Sequence, residues 1–171
     1  NKDIDRRQEE YEALNPDAVL EYCDFVLSRS EYPDYFPQEF DLDYNAANKL
    51  LLVDYFLPSL DQMPRLKEVK YVQSKDAFAE MTLAESAVSK LYDEAIYQIA
   101  LRTVHELYEA DAVGALELVV FNGWVRSIHK GTGKEVTACI LSVQAKRDEF
   151  LEINLELVEP KTCFKNLKGV G

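Results

Sequence analysis

The chain has 171 residues, 47% hydrophobic and 29% charged, with 19 Lys and Arg against 31 Asp and Glu for a formal net charge of -12. That length suits one domain burying roughly two-thirds of its unfolded surface, and 6 Gly with 6 Pro exclude a collagenous or low-complexity chain. The longest apolar stretches, 49–57 and 115–121, fall far below the roughly 20 residues that span a bilayer, and the charged start Asn1-Lys2-Asp3-Ile4-Asp5-Arg6-Arg7 is no signal peptide.

Apolar residues at Leu14, Val19, Leu20, Phe25, Val26 and Leu27 follow a helical pattern broken once at Asn15-Pro16. Asn15 suits an N-cap and Pro16 the first helical position, which predicts a helix to about Ser28. The polar stretch 1–13 reads as the tail of a helix entering from upstream. Residues 1–30 are therefore expected to be a helical lead-in, the end of a coiled coil that makes homo-oligomers, with 31–171 as one domain. The connector Tyr32-Pro33-Asp34-Tyr35-Phe36-Pro37 is held extended before each proline, and its aromatics are expected to fold back over the core.

Phe40-Asp41-Leu42-Asp43-Tyr44 alternates, 45–48 is turn chemistry and 49–57 is apolar up to Pro58, which together predict a β-hairpin. Lys67 to Val72 reads as a short half-polar strand. Thr82-x-x-Glu85 has the form of a capping box, and Val88, Leu91, Ala95, Ile99 and Val104 share one face of a helix expected to reach Ala110. Leu116 to Ile128 is strand-like with Asn122-Gly123 as a bulge or bend, 130–134 is a tight turn, and 136–146 returns as a strand. Apolar residues on both its faces predict a central strand. The tail reads as two short helices, 147–157 and 160–167. The fold class expected is α+β: a mostly antiparallel sheet of about five strands, one long packed helix, an N-terminal helix and short C-terminal helices.

Charge is unevenly spread: residues 1–61 hold fifteen acids and five bases, while 62–171 hold sixteen and fourteen. So acidic a surface repels a phosphate backbone, and contact with DNA needs a local basic patch. Arg126, Lys130, Lys134, Lys146 and Arg147, with Glu135 the only acid between Trp124 and Arg147, form the candidate. A solvated ribbon whose lysines discourage edge pairing explains the same residues.

Gly131-Thr132-Gly133-Lys134 lacks the earlier glycine and the following helix of a phosphate-binding loop, so a hairpin turn is expected. Gln144-x-Lys146 at a strand end has the form of a magnesium-dependent nuclease motif, in which a carboxylate on the preceding strand shares the metal and Lys orients water. The preceding strand offers Glu117, Asn122 and Ser127 and no Asp, one anionic ligand short of a usual magnesium site. Asp41, Asp43 and Asp54 suit a solvent-facing row. His105, on a helix with no Ser or Cys partner nearby, suits a packing role and His129 lies beside a turn, while Cys23, Cys139 and Cys163 at wide spacing suggest neither disulfide nor zinc, pointing to the reducing cytoplasm and to no metal in this chain.

Asn15-Pro16, Tyr32-Pro33, Phe36-Pro37, Phe40-Asp41-Leu42-Asp43-Tyr44, Val53-Asp54-Tyr55 with Leu57-Pro58, the run from Lys67 to Val72, the run from Leu101 to Leu107, Val120-Phe121-Asn122-Gly123-Trp124-Val125, Thr137-Ala138-Cys139-Ile140 and the run from Phe164 to Val170 follow in order. Together they resemble the region preceding the nuclease domain in bacterial restriction endonucleases with a C-terminal Mrr-type catalytic domain. The resemblance implies antiviral defence against foreign DNA, a magnesium (Mg2+) nuclease domain downstream, and no catalytic residue or cofactor within this chain. The domain would then serve recognition, oligomerisation or control, and the Gln144-x-Lys146 match would be coincidental. Two alternatives stay open: a degenerate or active nuclease core using Glu117, Gln144 and Lys146, and a protein-protein interaction module suggested by the acidic first third.

Overall fold

The Asn15 side chain accepts hydrogen bonds from the amides of Asp17 and Ala18 at 3.0 and 3.2 Å, and Pro16 follows where its missing N–H costs nothing. It starts α2 (Pro16–Ser28), as expected, after a first helix α1 (Lys2–Glu12). The structure, a computed structural model, describes residues 2–63, 66–72, 77–82 and 84–171. Helix α1 buries only Tyr11, whereas α2 sends Val19, Cys23 and Leu27 into the core. Burial pushes the Cys23 thiol up to about 12, so it behaves as a packing group.

Strands β1 (Glu39–Asn45) and β2 (Leu50–Phe56) form the expected hairpin, its turn held by Asn45, whose side chain accepts from the amides of Ala47 and Asn48. A 3₁₀ turn (Leu60–Gln62) and the antiparallel pair β3 (Leu66–Val72) and β4 (Ala77–Thr82) lead to α3 (Glu85–Ala110). The helix ends where the apolar period ends, and it begins at Glu85, while the side-chain half of the expected capping box, at Thr82, lies outside the described residues. Thr82 is the last residue of β4, and Ala84 is the N-cap without a side-chain hydrogen bond.

Strands β5 (Leu118–Ile128) and β6 (Glu135–Lys146) follow, then α4 (Arg147–Leu151) and α5 (Pro160–Asn166). The chain is α+β, but its strands are divided between a four-stranded mixed sheet, ordered β1-β2-β5-β6, and the separate β3-β4 pair. β2 and β5 run parallel, from Leu50 beside Leu118 to Phe56 beside Trp124, because β3, β4 and α3 carry the chain back to the start of the sheet. The other two pairings are antiparallel.

Leu51, Val53, Tyr55, Val119, Phe121, Leu141, Val143 and Ala145 fill the inner face of the sheet, in one core with Val88, Ile99, Val104 and Leu107 of α3. Tyr32, Tyr35 and Phe36 of the connector pack against that core, as expected from their fold-back. Phe164 of α5 meets Tyr97 of α3 edge to face, ring centres 5.0 Å apart.

The break at Asn122-Gly123 is a β-bulge. Gly123 pairs with Leu141 and Trp124 with Cys139, which leaves Ile140 as the extra residue. The slip exchanges the faces of β6, so Cys139 shares the outer face with Trp124 while Leu141 points inward. The sequence reading of β6 as a central strand is corrected: it is at the sheet edge, touched on its outer side by one antiparallel bridge from Val170 to Ser142. Its apolar residues on both faces belong to two regimes, a core half from Leu141 onward and an exposed half before Ile140.

Candidate nucleic-acid interface

Strand β5 is covered up to Gly123, and from Arg126 to Ile128 it is exposed; on β6 every residue from Glu135 to Cys139 is exposed. The distal halves of the two strands therefore project from the body as a two-stranded arm closed by 129–134. At its end the carbonyl of His129 accepts the amides of Thr132 and Gly133, the His129 ring accepts the amide of Gly131 at 3.1 Å, and Gly133 takes φ +67. The Gly131–Lys134 segment is thus a hairpin turn leading into a strand, not a phosphate loop.

The five basic residues do not converge. Arg126 lies 3.9 Å over the Phe56 ring and is bound to Glu39 at 2.8 Å, with Glu135 at 4.0 Å, so its charge is met by the protein's own acids. Arg147 is a structural cation: Nη1 donates to Asp111 at 2.6 Å and to the Leu116 carbonyl at 3.0 Å, and Nη2 donates to the Asp111 carbonyl. Lys130 and Lys134 stand exposed at the arm's tip and join no ion pair among the described residues. Lys146 is exposed at the other end of β6, on the order of 40 Å from Lys134 at the usual rise per strand residue.

Asp111 is the residue that sequence reasoning missed. Its carboxylate accepts from the amides of Ala115 and Leu116 at 2.9 and 2.8 Å, from Tyr11 Oη at 2.6 Å and from Arg147, and so ties α1, the end of α3, the loop into β5 and the start of α4 together. Burial alone would raise its pKa, but the bonds from Tyr11, the two amides and Arg147 outweigh burial and hold it below the usual carboxylate range. A single acid after a helix carries no sequence signal of this role.

Gln144 and Lys146 line an open cleft of about 850 Å³ between β6 and α5, with Glu149, Thr162 and Asn166 also on its wall. Directly across from them on β5 stand Val120 and Leu118, so the strand before them presents no carboxylate. Glu117 is exposed just before β5, its carbonyl accepting the Arg147 amide. Among the described residues no group of three or more His, Cys, Asp or Glu gathers to hold a metal ion.

The remaining candidates are local. His105 pairs with Glu109 one turn along α3 at 2.8 Å. Asp41 and Asp43 are exposed on the outer sheet face, as the solvent-facing row required, but Asp54 beside them accepts Trp124 Nε1 at 2.9 Å and Asn122 Nδ2 at 3.3 Å. Cys23, Cys139 and Cys163 are free thiols, and among the described residues no helix is long and apolar enough to cross a membrane. No family model matches the chain, and comparison with curated proteins and with solved structures yields no match either.

Proposed function

We propose that this chain is a non-catalytic accessory domain of a DNA-restricting endonuclease in bacterial defence, and that it meets DNA through the tip of the β5-β6 arm. The motifs that run along the chain support the first half. The exposed arm carries the second: Lys130 and Lys134 stand clear of an acidic body, where the body's own field repels a phosphate backbone least. Arg126 and Arg147, engaged with Glu39 and Asp111, serve the fold instead. Mg2+ belongs, in this reading, to the nuclease domain.

Binding of a fluorescent DNA duplex across a salt series tests it. The wild-type chain is expected to bind with salt-sensitive affinity, and Lys130→Glu with Lys134→Glu to abolish binding or flatten the salt slope by roughly 2, about one per lost phosphate contact. Lys146→Ser at the far end of β6 should change little. No binding at low salt, or binding indifferent to the tip pair, sinks the DNA-contact reading. With magnesium or manganese added the duplex should stay intact, and cleavage that Lys146→Ala abolishes would replace this reading with a nuclease core around Gln144 and Lys146.

A further inference from the structure

The two edges of the four-stranded sheet are built differently. β1 is seven residues long and alternates Glu39, Asp41 and Asp43 with its apolar positions, and charge on a short edge discourages pairing with another strand. β6 is twelve residues long, and Val136-Thr137-Ala138-Cys139-Ile140 within it carries no charge and no proline. Four of these five side chains are exposed and Ile140 is half-buried. An uncharged, exposed, β-prone edge of this length is a template for a further strand.

The same edge already accepts a strand one step further along. Ser142 donates its amide to the Val170 carbonyl and accepts the Val170 amide, both at 2.8 Å. In an antiparallel pair alternate residues turn both backbone groups away from their partner strand, and Ser142 shows such groups on β6 facing outward. Before Ile140 the outward groups meet no strand among the described residues. Open to water as they are, these groups are also the ones that a further extended backbone would pair with.

We infer that Val136–Ile140 of β6 pairs antiparallel with the same segment of a second copy of this chain. The segment is matched to itself: about a two-fold axis through Ala138, Val136 lies opposite Ile140 and Thr137 opposite Cys139. β-Branched side chains thus meet at both ends, small ones in the middle, and no like charges face each other. Glu135 and Lys134 fall outside the window, where Val170 already occupies Ser142. Such an interface is isologous and closes as a dimer, joining two four-stranded sheets into one. It leaves the Lys130 and Lys134 tips of the two copies at opposite ends of the paired strands.

Sedimentation of the whole chain over a concentration series tests it, using charge at the axis. The wild-type chain is expected at twice the mass of one chain, Ala138→Glu and Ala138→Lys each at the single-chain mass, and an equimolar mixture of the two variants back at the doubled mass. Recovery in the mixture separates repulsion from misfolding, since position 138 is exposed. Ile4→Glu on α1 should leave the doubled mass unchanged. A monomeric wild type, a dimer indifferent to both Ala138 variants, a mixture that stays monomeric, or a dimer lost in Ile4→Glu would each overturn the β6 interface.

Discussion

Nη1 of Arg147 lies 2.6 Å from Oδ2 of Asp111, a carboxylate whose side chain is 1% exposed, while the arginine side chain is 20% exposed. The pair joins residues 36 apart in sequence, one just after α3 and one at the start of α4. Tyr108 reinforces it: its ring lies under the guanidinium at 5.6 Å and its hydroxyl donates to the Ala145 carbonyl. The junction from α3 through 111–117 into β5 is thus held by one carboxylate, and β6 is anchored at the end opposite its exposed arm.

Arg147→Ala is expected to destabilise the chain by about 3–5 kcal/mol, because it leaves the buried Asp111 charge without its cation. Arg147→Ala combined with Asp111→Asn should cost less than the two single losses added together, since the uncompensated charge is then gone as well. Urea unfolding of the three variants measures both quantities. A loss below about 1 kcal/mol for Arg147→Ala, the range of surface pairs, would mean that the two amides and Tyr11 suffice.

Acid should unfold the protein partly through the same residue. The Asp111 carboxyl is held below its ordinary value in the fold and returns to roughly 3.9 in the unfolded chain. In between, the unfolded state binds the extra proton, so the stabilisation is complete above about pH 5 and is lost as the pH falls through the folded value. Tyr11→Phe removes one of the bonds that hold this carboxyl down and should move the loss to higher pH, whereas Asp111→Asn lowers stability at neutral pH and flattens the acid limb. Unfolding free energies measured between neutral pH and about pH 2 distinguish the two curves.

Local chemistry was legible where it is self-contained. Asn15-Pro16 opens α2, the apolar period from Val88 ends α3 at Ala110, and Asn122-Gly123 marks the bulge. The parallel alignment of β2 with β5 was not legible, because alternation along a strand says which face is apolar and nothing of direction. Thr82 is the last residue of β4, paired with Leu66, so the helix proper begins at Glu85, three residues after the Thr that opens the motif. The basic cluster shows the same limit for a site. Charges can be counted from sequence, but only the fold shows that Glu39 and Asp111 already hold two of the five.

Gly123→Ala should cost about 1–3 kcal/mol as overpacking. A Cβ there would sit 2.6 Å from Cδ1 of Leu57 and 3.3 Å from Cβ of Leu141, and both residues are 2% exposed. The Leu57 tip can swing, but the Leu141 Cβ is fixed to its strand, so the bulge itself must shift. Leu57→Ala should therefore relieve part of the Gly123→Ala cost even though it opens a cavity of its own. Thermal unfolding of the two single variants and the double variant reads that coupling, and simple additivity would show that the two sites do not share the space.

Trp124 is the only tryptophan, and its Nε1 donates to Asp54 Oδ1 at 2.9 Å from a half-buried position on the outer sheet face. The same oxygen takes Asn122 Nδ2 at 3.3 Å, and Asn122 Oδ1 accepts Ser142 Oγ at 2.8 Å, so one polar chain crosses β2, β5 and β6. Asp54→Ala leaves the indole N–H and the Asn122 amide without their acceptor, at a cost of about 1–3 kcal/mol. Asp54→Asn keeps an acceptor of the same shape and should lose less. Fluorescence reports the site directly: in Asp54→Ala the emission maximum should shift and acrylamide quenching should rise, while Asp54→Asn stays near the wild type. Because Cys139 shares that outer face where the arm begins, an unchanged spectrum in Asp54→Ala would mean that Trp124 is held by its strand neighbours rather than by Asp54, and the carboxylate would revert to the solvent-facing row of Asp41 and Asp43.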